Sequence, residues 1–232
     1  MKIKFWLLSA LSTLLFSTSI PTRVQANPEI LRDSVTSTLW WQLAVDNQMH
    51  LTKDRQYQGC IWGDSISSAL GDSLGEQNFN FAIGGMSSVS LLEQLKDLIP
   101  NNFKCEKAII AIGTNDAMYG ISDEAFVKNM KEAIALLRSM GTQKIILIPA
   151  FYSTIKASYE PNLAGTITRV DEINALLCQV SLSENVVIEA AGIQALFKDR
   201  ALNESLTIDG VHLNAKGLDI YRQVLSTLLI SK

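Results

Sequence analysis

Two histidines, three cysteines and five prolines are all that 232 residues contain of each, and 20 basic against 23 acidic groups leave a formal charge of only −3. Each scarcity excludes something. His50 and His212 are isolated from one another and no cysteines cluster, so there is no metal-ligand set, and neither metal nor cofactor is expected. Three cysteines cannot all pair among themselves. Cys60, Cys105 and Cys178 are read as small buried residues, and none has a neighbouring histidine to activate it. A mildly acidic balance gives no electrostatic ground for nucleic acid as a partner. There is no internal repeat, low-complexity tract or linker. What is abundant is apolar side chain, 47% of the sequence, which suits one large domain with a substantial core.

The first apolar run, residues 5–20, is short of the ~20 residues a membrane-spanning helix needs. Lys2 and Lys4 precede it, and Pro21 and a small-x-small stretch, Val24-Gln25-Ala26, follow. This is the pattern of a signal peptide over residues 1–26, leaving a mature domain over 27–232 that is exported to a periplasm or secreted, with no stable membrane span. No cysteine follows the run, so lipoprotein processing is not indicated. Loss of Lys2, Lys4 and Arg23 shifts the formal charge from −3 to −6.

Apolar residues at helical spacing predict an extra N-terminal helix over about 29–50. Five short apolar runs follow, at residues 59–62, 79–83, 108–112, 144–149 and 186–189. Helical patterns alternate with them at 88–98, 123–140 and 166–180, and a last one closes the chain at 215–229. Strands that are apolar throughout and alternate with helices predict a parallel sheet covered on both faces, a doubly wound three-layer α/β/α sandwich. Ligands of such folds bind at the carboxyl ends of the strands, so chemistry is expected just after each apolar run.

The stretch GDSISSALGDSLG, residues 63–75, carries Gly-Asp-Ser twice, and its second copy also satisfies G-x-S-x-G. Context favours the first. Ser65 follows the buried-strand signal Cys60-Ile61-Trp62 and opens a helix, whose N-terminal N–H groups suit a developing anion. Ser73 follows Leu70-Gly71, where a short helix ends on glycine, and leads into polar loop residues. A serine nucleophile needs a base oriented by a carboxylate. His50, among Asp46, Asn47 and Lys53, has the surroundings of a surface residue. His212 lies in a glycine-containing loop before the last helix, with Asp209 three residues upstream. Donors for an oxyanion are offered at two further strand ends, by Gly84-Gly85 and by the side-chain amide of Asn115 in Gly113-Thr114-Asn115-Asp116.

Taken together, these blocks resemble the SGNH, or GDSL-type, hydrolase superfamily from about Gly59 to the last helix. The resemblance implies a flavodoxin-like sheet of order 2-1-3-4-5. It also implies Ser65 as nucleophile with Asp209 and His212, and an oxyanion hole from the Ser65 N–H, the Gly85 N–H and Asn115. The second block departs from the usual Asn-x-Gly-x-x-Gly in having Ala82 for the first glycine, so Gly84 remains beside Gly85 as a candidate. The implied activity is hydrolysis of a carboxylic ester, on acetylated carbohydrate or lipid, through an acyl-enzyme. An O-acyltransferase on the same site, or a non-catalytic glycan- or lipid-binding module, are the alternatives. Met86, Met118, Tyr119 and Tyr152, in loops after strands, are candidates for contact with a small-molecule, lipid or glycan ester.

Overall fold

A computed structural model describes residues 33–230. The expected signal peptide, and the first part of the helix expected over 29–50, lie outside the described residues. Helix α1, Leu39–Thr52, starts later than that expectation because Thr38 is extended (φ −84°, ψ 140°) after a 3-10 turn at Val35–Ser37. It buries Trp41, Val45, Gln48 and Thr52, one face at a spacing of three to four. Trp40 of the adjacent pair stays 50% exposed.

Strand β1, Gln56–Gly63, runs directly into the one-turn helix α2, Ser65–Ser68. Then follow β2, Asn78–Asn80; α3, Ser88–Leu98; β3, Lys104–Ala111; α4, Thr114–Tyr119; α5, Asp123–Ser139; β4, Lys144–Leu147; α6, Ile167–Glu184; and β5, Val187–Ile188. A two-residue hairpin, β6 Phe197–Lys198 and β7 Ala201–Leu202, precedes the closing helix α7, Ala215–Ile230. The main sheet is parallel in the order β2-β1-β3-β4-β5, as expected. Beyond β2 the chain stays alongside β1, with the Phe81 N–H on Ile61 O and the Ile83 N–H on Gly63 O, which carries residues 84 and 85 to the sheet's carboxyl edge.

Alternation along the central strands divides the core into two layers. Cys60, Trp62, Ala108, Ile110 and Leu147 face α1, α3, α5 and α6, whereas Ile61, Ile109, Ala111 and Ile146 face α7. In the first layer Trp62 stacks on Phe81 with ring centroids 4.2 Å apart, an arrangement worth about 1 kcal/mol beyond the area it buries. The hairpin was not visible in the apolar pattern, because its strands are two residues long and its turn is made by Asp199 and Arg200 in left-handed conformation.

The cysteines correct the expectation of three buried thiols. Cys60 and Cys105, on the neighbouring strands β1 and β3, form a disulfide, and Cys178 on α6 is free and exposed. A cysteine's own segment does not reveal this pairing, because it depends on how two strands with cysteines 45 residues apart in sequence come together.

Candidate active site

Asp64 begins the site. Its extended backbone (φ −98°, ψ −157°) follows β1, and its side chain accepts the Ile66 N–H at 2.9 Å, capping α2. The carboxyl is buried, and burial pushes its pKa up to about 6, although the Ile66 N–H and the proximity of His212 favour the charged form. Ser65 is therefore the first helical residue, half-buried, with its N–H pointing out of the helix start. Asp64 was not singled out in the sequence, although its place before a helix start is an N-cap signal.

The base comes from the loop before α7. Thr207 and Leu213 form an isolated bridge, and between them the Asp209 carboxylate folds onto its own loop. Asp209 Oδ1 accepts the N–H of Val211 at 2.9 Å and of His212 at 2.8 Å, while Oδ2 lies 2.6 Å from His212 Nδ1. Partial burial works to raise the Asp209 pKa, but the hydrogen bonds from the His212 ring and the two amides outweigh it and hold the carboxyl below its ordinary range. Gly210 makes the turn at φ +95°, where a Cβ would also lie 2.7 Å from Thr154 Oγ1 and 2.8 Å from Ala157. With Nδ1–H given to Asp209, Nε2 is free to accept, and it lies 2.9 Å from Ser65 Oγ. The side chains of His212 and Asp209 are 39% and 38% exposed, so this pair is open to water.

Opposite it lies the loop after β2. Gly85 takes φ +75°, a conformation that disfavours a side chain, whereas Gly84 does not. Among the described residues, neither the Ser65 N–H nor the Gly85 N–H is used by a protein acceptor. Asn115, at the start of α4, gives one amide hydrogen to Met86 O at 2.9 Å, and its other amide hydrogen has no acceptor among the described residues. The Tyr119 hydroxyl donates to Gly85 O at 2.9 Å, and burial first, then the nearby carboxylates, push its pKa up to about 12. Asp116 is fully buried. It accepts the Ser88 N–H with both oxygens, at 3.0 and 3.1 Å, and burial pushes its pKa up to about 7 against those bonds.

Ser65, Gly85, Asn115, Asp209 and His212 thus share one edge of the sheet. Ser73 does not join them, lying exposed in the loop after α2 with its hydroxyl accepting from Arg222 Nε at 3.1 Å. Nor does exposed His50, in the last turn of α1. Met86 is fully buried in the core, so its side chain offers no surface to a ligand. Tyr119 holds the Gly85 loop. Met118 lines a cavity of about 430 Å³ with Ser158, Tyr159, Ala164 and Gly165. Its wall at Ala164 belongs to a small buried cluster with Ala157 and Val211, the residue before His212. Tyr152 instead lines a separate cavity of about 340 Å³ with Asn174, Cys178 and Phe197, its hydroxyl donating to Asp171.

Fold and geometry define the class: an α/β/α sandwich with its polar side chains gathered at the carboxyl edge of the sheet. The whole sequence narrows this. Residues 33–220 match the GDSL-like lipase/acylhydrolase family, and the chain belongs to it. It is similar in fold to a GDSL-like lipase from Bacteroides thetaiotaomicron, with a TM-score of 0.64 and 16% identity over 79% of this chain and 94% of that one. It is also similar to an acetylxylan esterase from Geobacillus stearothermophilus, with a TM-score of 0.56 and 16% identity over 78% and 96%. In sequence it is 27% identical over 169 residues to an N-acylneuraminate cytidylyltransferase of Streptococcus agalactiae. The chain spans only 37% of that relative's length, and the match covers 72% of this chain.

Proposed function

We propose that the protein is a serine esterase that cleaves carboxylic esters through an acyl-enzyme. The observation that carries this reading is the continuous hydrogen-bonded line from Ser65 Oγ to His212 Nε2, at 2.9 Å, and from His212 Nδ1 to Asp209 Oδ2, at 2.6 Å. Ser65 attacks the ester carbonyl as His212 takes its proton, and Asp209 stabilises the imidazolium that forms. The tetrahedral oxyanion is held by the Ser65 N–H, the Gly85 N–H and the unused amide hydrogen of Asn115. His212 then protonates the leaving alcohol, the ester oxygen departs, and water activated by the same imidazole releases the acid. The exposure of His212 and Asp209 favours hydrolysis over acyl transfer, since water reaches the base.

The substrate is an acetylated carbohydrate or a lipid acyl ester. The likeness to an acetylxylan esterase supports the first form, and the Met118 cavity beside the His212 loop could seat part of either. Export to a periplasm or secretion goes with this reading and is supported by the Cys60–Cys105 disulfide, a bond that persists in oxidising compartments. A series of p-nitrophenyl esters from acetate to palmitate tests both activity and chain length. Turnover is expected in the wild type and not in Ser65→Ala. Absence of turnover at every length sinks the esterase, and equal rates in the two proteins sink Ser65.

A further inference from the structure

The loop that presents Gly85 is gripped by a segment the reaction does not otherwise use. Asp33, ahead of the 3-10 turn at Val35–Ser37, reaches across to the start of α3. Its Oδ2 accepts the Ser87 hydroxyl at 2.5 Å and the Ser90 N–H at 3.2 Å, while Oδ1 accepts the Val35 N–H at 3.1 Å. Ser87 is the N-cap of α3. Its hydroxyl oxygen takes the Val89 N–H at 3.1 Å while its hydrogen goes to Asp33, so the carboxylate fixes the rotamer of the cap. A negative charge at a helix start is also favoured by the exposed N–H groups there.

The same segment lies beside the glycine. A Cβ placed on Gly85 would lie 3.5 Å from Val35 Cγ2 and 3.5 Å from the Tyr119 hydroxyl, so the two flank the Gly85 Cα. Val35 is buried in the core layer that also contains Met86. Only Met86 separates Gly85 from Ser87. Asp33 therefore fixes the downstream end of the loop, and Val35 closes the space into which a positive-φ glycine could relax.

We propose that Asp33 and Val35 are positioning residues for catalysis, a clamp that keeps the Gly85 N–H aimed at the oxyanion. This rests on the reading of Gly85 as an oxyanion donor. A helix cap acting on stability alone would alter the melting temperature and leave the folded enzyme's chemistry intact. A clamp loses transition-state binding instead.

The test is the steady-state kinetics of Asp33→Ala, Asp33→Asn and Val35→Ala on p-nitrophenyl acetate. It is paired with the Ki of a trifluoromethyl ketone, whose adduct with Ser65 places an oxyanion in the same site. For Asp33→Ala we expect kcat to fall at least 10-fold with KM within about 2-fold of wild type, and Ki to rise by the factor that kcat/KM loses. Asp33→Asn, which keeps one acceptor oxygen, should lie between alanine and wild type. If folded Asp33→Ala keeps kcat and Ki within 2-fold of wild type, the clamp is overturned. Should that variant fail to fold, unchanged kcat and Ki in Asp33→Asn and Val35→Ala overturn it equally. Ser65→Ala separates loss of the clamp from loss of the nucleophile. If it stays active, the reading of Ser65 as nucleophile fails, and the oxyanion site that the clamp would serve fails with it. If it is dead while the clamp variants are normal, only the clamp fails.

Discussion

The two halves of the site are built in opposite ways. The His212 loop is exposed and held mainly by itself, with Asp209 bonding to Val211 and His212 two and three residues on. The Gly85 loop is flanked by buried groups and held from a distance. Its bonds come from Asn115, Tyr119 and Asp116, 28 to 34 residues away, and from Asp33, more than 50 away. A proton shuttle needs access and a fixed tautomer, which a short Asp-Gly-x-His turn supplies. An oxyanion donor needs a fixed direction, and one glycine N–H gets that only from what surrounds it.

The largest effect should come from the exposed half. His212→Ala removes the proposed base and should lower kcat by about 10⁴-fold or more, as losing a member of such a triad does. Stopped or steady-state assays on p-nitrophenyl acetate measure it, and a loss below 100-fold would mean that another group takes the Ser65 proton. Next comes Asn115→Ala, which removes a proposed oxyanion donor from the other half and also frees Met86 O. It should cost about 10² to 10³ in kcat with little change in KM. A loss confined to KM would place Asn115 in substrate binding instead.

Tyr119→Phe sharpens the comparison, because it deletes only the hydroxyl that holds Gly85 O. A fall in kcat of several-fold is expected, smaller than for Asn115→Ala, since Val35 still closes the loop. An effect as large as that of Asn115→Ala would make Tyr119 the main support.

Burial also predicts how the hidden half responds to pH. The Asp116 carboxyl, raised to about 7 in the fold, keeps its proton between about pH 4 and 7, where the unfolded chain has released it. The folded state therefore binds the extra proton, and stability falls as pH rises through that window. Asp64, raised to about 6, adds the same slope over a narrower range. Urea midpoints at pH 5 and pH 8 should show the wild type losing about 2 to 3 kcal/mol more than Asp116→Asn. Equal losses would mean that Asp116 is already ionised at pH 5. Asp209 runs the other way, since its lowered pKa stabilises the fold at neutral pH and that contribution is lost only in acid.

What could be read from the sequence follows the same division. The sheet order came with the family resemblance, and the placing of Ser65 at a strand-to-helix turn came from an apolar run beside a helix start. Asp209 and His212 were legible because their partnership is local. Asp33, Asp64 and Asp116 were not singled out, because what makes them matter is burial and partners on other elements. The disulfide between Cys60 and Cys105 and the fully buried Met86 were missed for the same reason. Lys107 belongs with them. It reads as an ordinary strand charge, yet its ammonium donates to Leu228 O and Leu229 O at the end of α7.

The repeated Gly-Asp-Ser offers a sharp test of Ser65 as nucleophile, because the two serines differ in place and hardly in sequence. The measurement is peptide mass mapping after the wild-type protein is treated with a fluorophosphonate, which bonds covalently to an activated serine. One adduct is expected, on Ser65, formed at a rate that Ser73→Ala leaves unchanged and His212→Ala abolishes. An adduct on Ser73, or full esterase activity without any adduct on Ser65, would contradict it.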